Sequence, residues 1–258
     1  MSKKKKIVPA NIKRETKKFI ACGCSHGHFI DKGVSEDFLK FKQDFKPDTT
    51  LHLGDFLDQT AFRASVEGSK DEASDITGDV IRGLHFIEKM EPNYLFLGNH
   101  DNRAYRLVDH HKAIVAMAAK SVVDSIEDMA ESLKSEIVPY SGTRDPNSWR
   151  MVGDIAFGHG YMFGLNACEQ HAYMLGENVC FVHTHAMDIK TSRTQRQHVG
   201  YNIGCIADIN KLGVQYAGQR LKTTTWTNGW AYGEYGSDWC NLEMYRCRKK
   251  QKRIPKVK

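Results

Sequence analysis

At 258 residues and 41% hydrophobic content the chain can bury a large core, and one α/β domain of this length is ordinary. It holds no apolar run near the ~20 residues that span a bilayer, and the charged start Met1-Ser2-Lys3-Lys4-Lys5-Lys6 lacks a secretory apolar stretch. Seven cysteines, an odd number without Cys-x-x-Cys spacing, and a net charge of +6 complete the picture of a cytoplasmic protein with reduced thiols and no membrane partner.

In chain order, residues 1–18 form a basic N-terminal arm. It has eight Lys or Arg (Lys3 to Lys6, Lys13, Arg14, Lys17, Lys18) against Glu15, and its Ile7 to Ile12 stretch reads as a first strand or an arm on the sheet. The body, 19–245, is expected to be one domain. Phe19 to Cys22 is a short apolar strand, and Glu36 to Phe45 has helical spacing at Phe38, Leu39, Phe41 and Phe45, ended by Pro47. Leu51 to Leu53 is the second strand, 64–78 is polar loop, Val80 to Met90 is a helix and Tyr94 to Leu97 the third strand. Asn102 to Glu136 is the longest helical stretch and breaks once into two helices, followed by a turn-rich connector from Ser141 to Ser148.

Strands over Ile155 to Phe157 and Val179 to Val182 flank a helix over Leu165 to Leu175. Gly153-Asp154 is a turn, and His110, His111 and His171 read as surface residues of helical segments. From Lys190 to Tyr235, alternation punctuated by glycines suggests antiparallel strands that finish a second sheet, and Trp226, Trp230, Trp239, Tyr232 and Tyr235 read mostly as packing residues. Residues 246–258 are a C-terminal tail with eight Lys or Arg and no acid. The two ends carry +7 and +8, which leaves −9 on the body. Basic tails on an acidic body suit either contact with a polyanion such as nucleic acid or plain solvation.

Five short segments carry metal-binding side chains, each where a predicted strand ends. They are Cys24-Ser25-His26-Gly27-His28, Gly54-Asp55, Gly98-Asn99-His100-Asp101, Gly158-His159-Gly160 and His183-Thr184-His185. Any one of them occurs by chance in many proteins. Their order after successive apolar strands is the signal, because ligands at one end of an open α/β sheet converge on a shared crevice. The set reads as one binuclear metal site.

In these segments the chain resembles the calcineurin-like metallophosphoesterases, whose blocks are Asp-x-His, Gly-Asp, Gly-Asn-His-Asp/Glu, His-Gly and Gly-His-x-His. The resemblance runs from about Phe19 to about Gly204, and all five blocks stand in family order. Cys24 stands in place of the first Asp, and Val182 in place of the Gly before His-x-His. The resemblance implies a four-layer αββα sandwich of two mixed sheets flanked by helices, with the site at the C-terminal ends of the strands. It also implies two divalent ions, manganese, zinc or iron. Asp55 would bridge them, Asn99, His159 and His183 would complete one, and His26 and His185 would serve the other.

For the remaining ligand, a thiolate from Cys24 suits zinc or iron, a register shifted by two residues would use His28, and with Cys24 a bystander this ion would be weakly held. The resemblance gives His100 the phosphate contact and leaving-group protonation, with Asp58 as its orienting carboxylate or, alternatively, as a helix N-cap. Arg103 is either a fork donor to a phosphate oxygen or a surface helix residue. The implied activity is hydrolysis of a phosphate ester by hydroxide generated between two metals. A nuclease or nucleotide phosphodiesterase is favoured, because Asp58 is followed by Gln59-Thr60 and not by the Arg-Gly of protein phosphatases. The alternatives are a protein or small-molecule phosphomonoesterase and a scaffold of the same fold that has lost catalysis.

Overall fold

The computed structural model describes residues 15–64, 66–218 and 224–247. Strand β1 (Lys17–Cys22) organises it, because both faces of its second half are apolar and fully buried. Phe19 and Ala21 face one core and Ile20 and Cys22 another, as expected of a strand covered on both sides. β2 (Thr49–His52), β3 (Tyr94–Phe96) and β4 (Glu136–Val138) follow in parallel beside it. β10 (Gly229–Tyr235) pairs antiparallel on its other edge and carries β11 (Cys240–Arg246), giving the order β11-β10-β1-β2-β3-β4.

The second sheet has the order β5-β6-β7-β9-β8, from β5 (Trp149–Val152), β6 (Ile155–Gly158), β7 (Asn178–Phe181), β8 (Met187–Thr191) and β9 (Val199–Ile203). Its three central strands are parallel and its edges antiparallel. The two sheets meet through Phe19, Leu51, Phe96 and Ala231 on one side and Val152, Phe157, Cys180 and Ile203 on the other. The Phe19 and Phe157 rings lie edge to face at 5.2 Å. Outside the first sheet lie α1 (Lys32–Phe45), α2 (Ile76–Met90), α3 (Asn102–Leu107) and α4 (Ala113–Leu133). α5 (Ala167–Leu175) covers the outer face of the second. The result is the expected αββα layering of two mixed sheets.

Several expectations need correction. The stretch from Lys190 to Tyr235 does not finish the second sheet: β8 and β9 belong there, but β10 joins the first sheet beside β1. Period-two alternation reports a strand and says nothing about which neighbour it takes. Between them lies an unpredicted helix, α6 (Ile209–Tyr216), capped by Asp208, whose carboxylate accepts the Asn210 and Lys211 N–H groups. Gly213 inside it had lowered its helical signal. The long helical stretch splits into α3 and α4 as expected, but ends at Leu133, so that Glu136 starts β4.

The polar 64–78 stretch contains a 3-10 turn at Lys70–Ala73 and the start of α2, capped by Asp75. His171 is not on the surface. It is fully buried and accepts the Tyr161 and Met162 N–H groups through Nε2. Trp230 is fully buried among Phe38, Phe41 and Tyr245. The Ile7 to Ile12 stretch and nearly all of both basic ends lie outside the described residues, with Arg246 closing β11. The seven cysteines are free, and among the described residues no helix is long and apolar enough to cross a membrane.

Trp230 tests the placement of β10 against α1. Trp230→Ala should lower unfolding free energy by about 3–5 kcal/mol in a denaturant titration. Ile114→Ala, on an exposed turn of α4, should change it by less than about 0.5 kcal/mol. Comparable effects at the two positions would contradict this packing.

Candidate metal centre

All five ligand segments leave the C-terminal ends of parallel strands: β1, β2, β3, β6 and β7. The loops after β2 and β3 can approach because two positions lack a Cβ. A methyl on Gly98 would meet Asp55 Oδ1 at 2.0 Å, and one on Gly54 (φ +94°) would meet the Gly98 nitrogen at 2.6 Å. Asp101, fully buried, then ties the loops together. Its carboxylate accepts the backbone N–H groups of Asp55 (2.6 Å), Gly98 (2.8 Å) and Leu57 (2.9 Å). Asp79 on α2 does the same for the next turn, accepting from Asp58 and Gln59 at 2.9 Å each and from His28 at 3.0 Å.

Asp55 stands at the centre, 1% exposed. Its Oδ1 accepts the His100 backbone N–H at 2.8 Å, which turns Oδ2 toward His159 Nε2 at 3.3 Å. His159 donates Nδ1–H to the Leu53 carbonyl at 2.9 Å, so the Nε2 lone pair faces the site. That lone pair meets Asn99 Oδ1 at 3.1 Å and His183 Nδ1 at 3.2 Å. Asp55, Asn99, His159 and His183 therefore form one cluster, the set expected for one metal.

On the other side of Asp55, ligand atoms of Cys24, His26, Asp55 and His185 all lie within 4.8 Å of one another. His26 donates Nδ1–H to Asp58 Oδ1 at 3.1 Å, and its Nε2 faces His185 Nε2 at 3.0 Å and Asp55 Oδ2 at 3.9 Å. Of the two first-loop candidates, Cys24 lies inside this cluster and His28 lies outside it. His28 sits beside Asp79 and Asp75, at 3.6 and 4.0 Å, facing a different cavity. Cys24, His26, Asp55 and His185 all hold left-handed backbone, with φ between 49° and 58°. Such a conformation costs a non-glycine residue on the order of 1–2 kcal/mol, and its concentration here marks a built site.

The donor set fits divalent cations. His26 and His159 each spend Nδ1–H on a partner outside the clusters, so their Nε2 atoms point inward beside the Asp55 carboxylate, and inward-facing nitrogen, oxygen and sulfur donors of this kind are what a divalent cation takes. The electrostatics agree. Burial first, and His159 second, depress His183 to about 3, and burial with His26 pulls His185 well down. Both imidazoles stay neutral, the form that binds metal. His159 alone is raised: burial opposes it, but the Asp55 charge prevails. Burial and the Asp55 charge push the Cys24 thiol well up, so a metal entering beside it must displace a proton.

Asp58 is not a helix cap. It is 1% exposed and faces the site, where its carboxylate receives His26 Nδ1–H, the Thr60 hydroxyl and, at 3.0 and 2.8 Å, the Tyr216 hydroxyl from α6. His100 turns Nδ1 toward both the Asp58 carbonyl (3.0 Å) and Oδ1 (3.2 Å). Burial would raise Asp58, but the N–H groups of His100 and His26 hold it well below the usual carboxylate range. Burial also lowers His100, against the pull of Asp55 and Asp58. Arg103 is half-buried and donates from Nη1 to the carbonyls of Asp58 (2.7 Å) and Gln59 (3.3 Å), which braces this loop.

Sequence reading missed three residues: Asp101, Asp79 and Tyr216. Asp101 was within reach, as the acid that closes the Gly-Asn-His-Asp block. Asp79 and Tyr216 carried no local signal, since each acts on a loop distant in sequence. Beside the clusters opens a cleft of about 700 Å³, lined among others by Phe163, Leu165, His183, His185, Lys190 and Trp226.

No protein-family model matches the chain, and no curated protein sequence matches it. Solved structures resemble it distantly. Vacuolar Protein Sorting 29 from Cryptosporidium parvum is 14% identical over 92% of this chain and 94% of that one, with a TM-score of 0.47. Yfce, a phosphoesterase from E. coli, is 12% identical over 83% and 87%, with a TM-score of 0.39. An uncharacterized protein from Streptococcus pneumoniae, described as a predicted phosphoesterase, is 12% identical over 90% of each chain, also at 0.39. Likeness at this level carries no argument about chemistry, which rests on the two clusters around Asp55.

Proposed function

We propose that the protein is a metal-dependent phosphoesterase whose two divalent ions are held on either side of Asp55. The observation that carries this reading is the single carboxylate facing two sets of metal-binding side chains, with an imidazole, His100, and its carboxylate, Asp58, beside them. When bound, the pair of ions would supply Lewis-acid polarisation of a phosphoryl group and an activated water. The chain's own part is to hold the ligands, exclude bulk water and place a proton donor.

In this reading Asn99, His159 and His183 hold one ion and Cys24, His26 and His185 the other. Cys24 tilts its side toward zinc or iron rather than magnesium, with manganese as the further candidate. His100 uses Nδ1 to meet Asp58, which leaves Nε2 as the atom that meets the phosphate or its leaving oxygen. Burial makes His100 a weaker base, and a phosphate anion bound beside it would favour the protonated form. We assign the remaining N–H groups of Arg103 to a phosphate oxygen, with Nη1 kept for the loop.

Within this class a nuclease or nucleotide phosphodiesterase is favoured over a phosphomonoesterase. The adjoining cleft is large enough for a nucleoside, and Phe163 and Trp226 line it. The basic arm (1–18) and tail (246–258) around the 19–245 body offer positive charge for contact with a polyanion. A scaffold without catalysis would be expected to have lost the bridging Asp or the acid His, and both are present.

Two measurements test the assignment. His100→Ala should cut kcat by roughly 10²–10⁴ while leaving bound metal unchanged, with a smaller loss on aryl esters that need no proton on departure. Loss of metal in that variant would make His100 a ligand instead. Cys24→Asp should keep two ions but move the activity preference from zinc or iron toward manganese and magnesium. An unchanged metal preference in Cys24→Asp, with metal lost in His28→Ala, would contradict the first-loop assignment.

A further inference from the structure

One carboxylate serves two imidazoles here. Asp58 Oδ1 lies 3.1 Å from His26 Nδ1 and 3.2 Å from His100 Nδ1, so the same atom sets the aim of a metal-cluster residue and of the candidate acid. Satisfying both requires one side-chain rotamer of Asp58, and a carboxylate held by a single oxygen can pivot. The second oxygen is what stops it. Oδ2 receives the Tyr216 hydroxyl at 2.8 Å and the Thr60 hydroxyl, and Tyr216 also reaches Oδ1 at 3.0 Å.

Tyr216 is itself well fixed. The Arg63 guanidinium lies over its ring at 5.7 Å, and its edge meets the His100 ring at 5.5 Å. It comes from α6, 158 residues along the chain from Asp58 and outside the five ligand segments. It also lines the cleft beside His183 and His185, so its ring stands between that cleft and the Asp58 carboxylate.

We propose that Tyr216 is a positioning residue that locks the Asp58 carboxylate, and through it both the His26 imidazole in the Cys24–His26–Asp55–His185 cluster and the His100 imidazole. The effect on His100 rests on the phosphoesterase reading given above. The effect on His26 does not, because it is read in metal affinity alone.

The test is a double-mutant cycle on the full-length chain, with Zn²⁺ titrated in competition with a chromophoric chelator. Asp58→Asn should weaken one of the two zinc sites by about 10–100-fold, the usual effect of removing the carboxylate behind a metal-binding histidine. Tyr216→Phe, which keeps the ring and its packing, should weaken the same site by about 3–10-fold and leave the other unchanged. In the Asp58→Asn background Tyr216→Phe should do nothing further. Should Asp58→Asn not fold, His26→Ala takes its place, and Tyr216→Phe must again have no effect on that background. No change in either site with Tyr216→Phe, or its full factor repeated in both backgrounds, overturns the proposal. In parallel, Tyr216→Phe should lower kcat for alkyl phosphate esters more than for aryl esters, with KM little changed. A wild-type protein that binds two zinc ions and hydrolyses no phosphate ester would end the phosphoesterase reading, while the zinc cycle would still decide the role of Tyr216.

Discussion

The arrangement depends on how the Asp55 carboxylate is held. Its Oδ1 is pinned by the His100 backbone N–H at 2.8 Å, and its own nitrogen by Asp101 at 2.6 Å, so Oδ2 has one direction left to face. That direction is the seam between two sets of ligand atoms, with His159 Nε2 at 3.3 Å and His26 Nε2 at 3.9 Å. A shared carboxylate brings two cations close without placing two full negative charges side by side. Much of the surrounding structure can be understood as support for this atom: glycines where the loops touch, and Asp101 clamping the two loops.

Holding that geometry costs stability. Four cluster residues adopt left-handed backbone, and a buried acid, Asp101, has its carboxyl pushed up to about 7 by burial and by the Asp55 charge. Against this stand the three backbone N–H groups that Asp101 accepts and a core in which both sheets and the flanking helices bury large aromatic residues. Strain at the strand ends is tolerated because the strands themselves are buried on both faces. A bound dication would relieve the facing lone pairs, so metal binding and folding stability should be linked.

The parts of this account that were legible in the sequence are local. A candidate ligand such as Asp55 or His159 follows its strand by one to three residues, so strand pattern and candidate side chain sit in one short window. The layer order was also accessible, since continuous apolar runs such as Phe19 to Cys22 indicate strands covered on both faces. What was not legible depends on distant pairing. Nothing in Gly229 to Tyr235 says that it pairs with β1 rather than with the second sheet. Helix α6 was obscured by Gly213, and with it went Tyr216, whose relevance appears only once its hydroxyl reaches Asp58. The choice between Cys24 and His28 was likewise undecidable from spacing. The placement of the two side chains depends on the left-handed backbone at Cys24 and His26, beyond which His28 lies beside Asp75 and Asp79.

The most direct test of the shared carboxylate is metal stoichiometry. Elemental analysis of protein reconstituted with Zn²⁺ or Mn²⁺ and freed of excess ion should give two ions per chain for the wild type. Asp55→Asn, nearly isosteric, should retain its fold by circular dichroism and hold at most one. Two tightly bound ions in Asp55→Asn, or a single ion in the wild type, would contradict a centre bridged by Asp55.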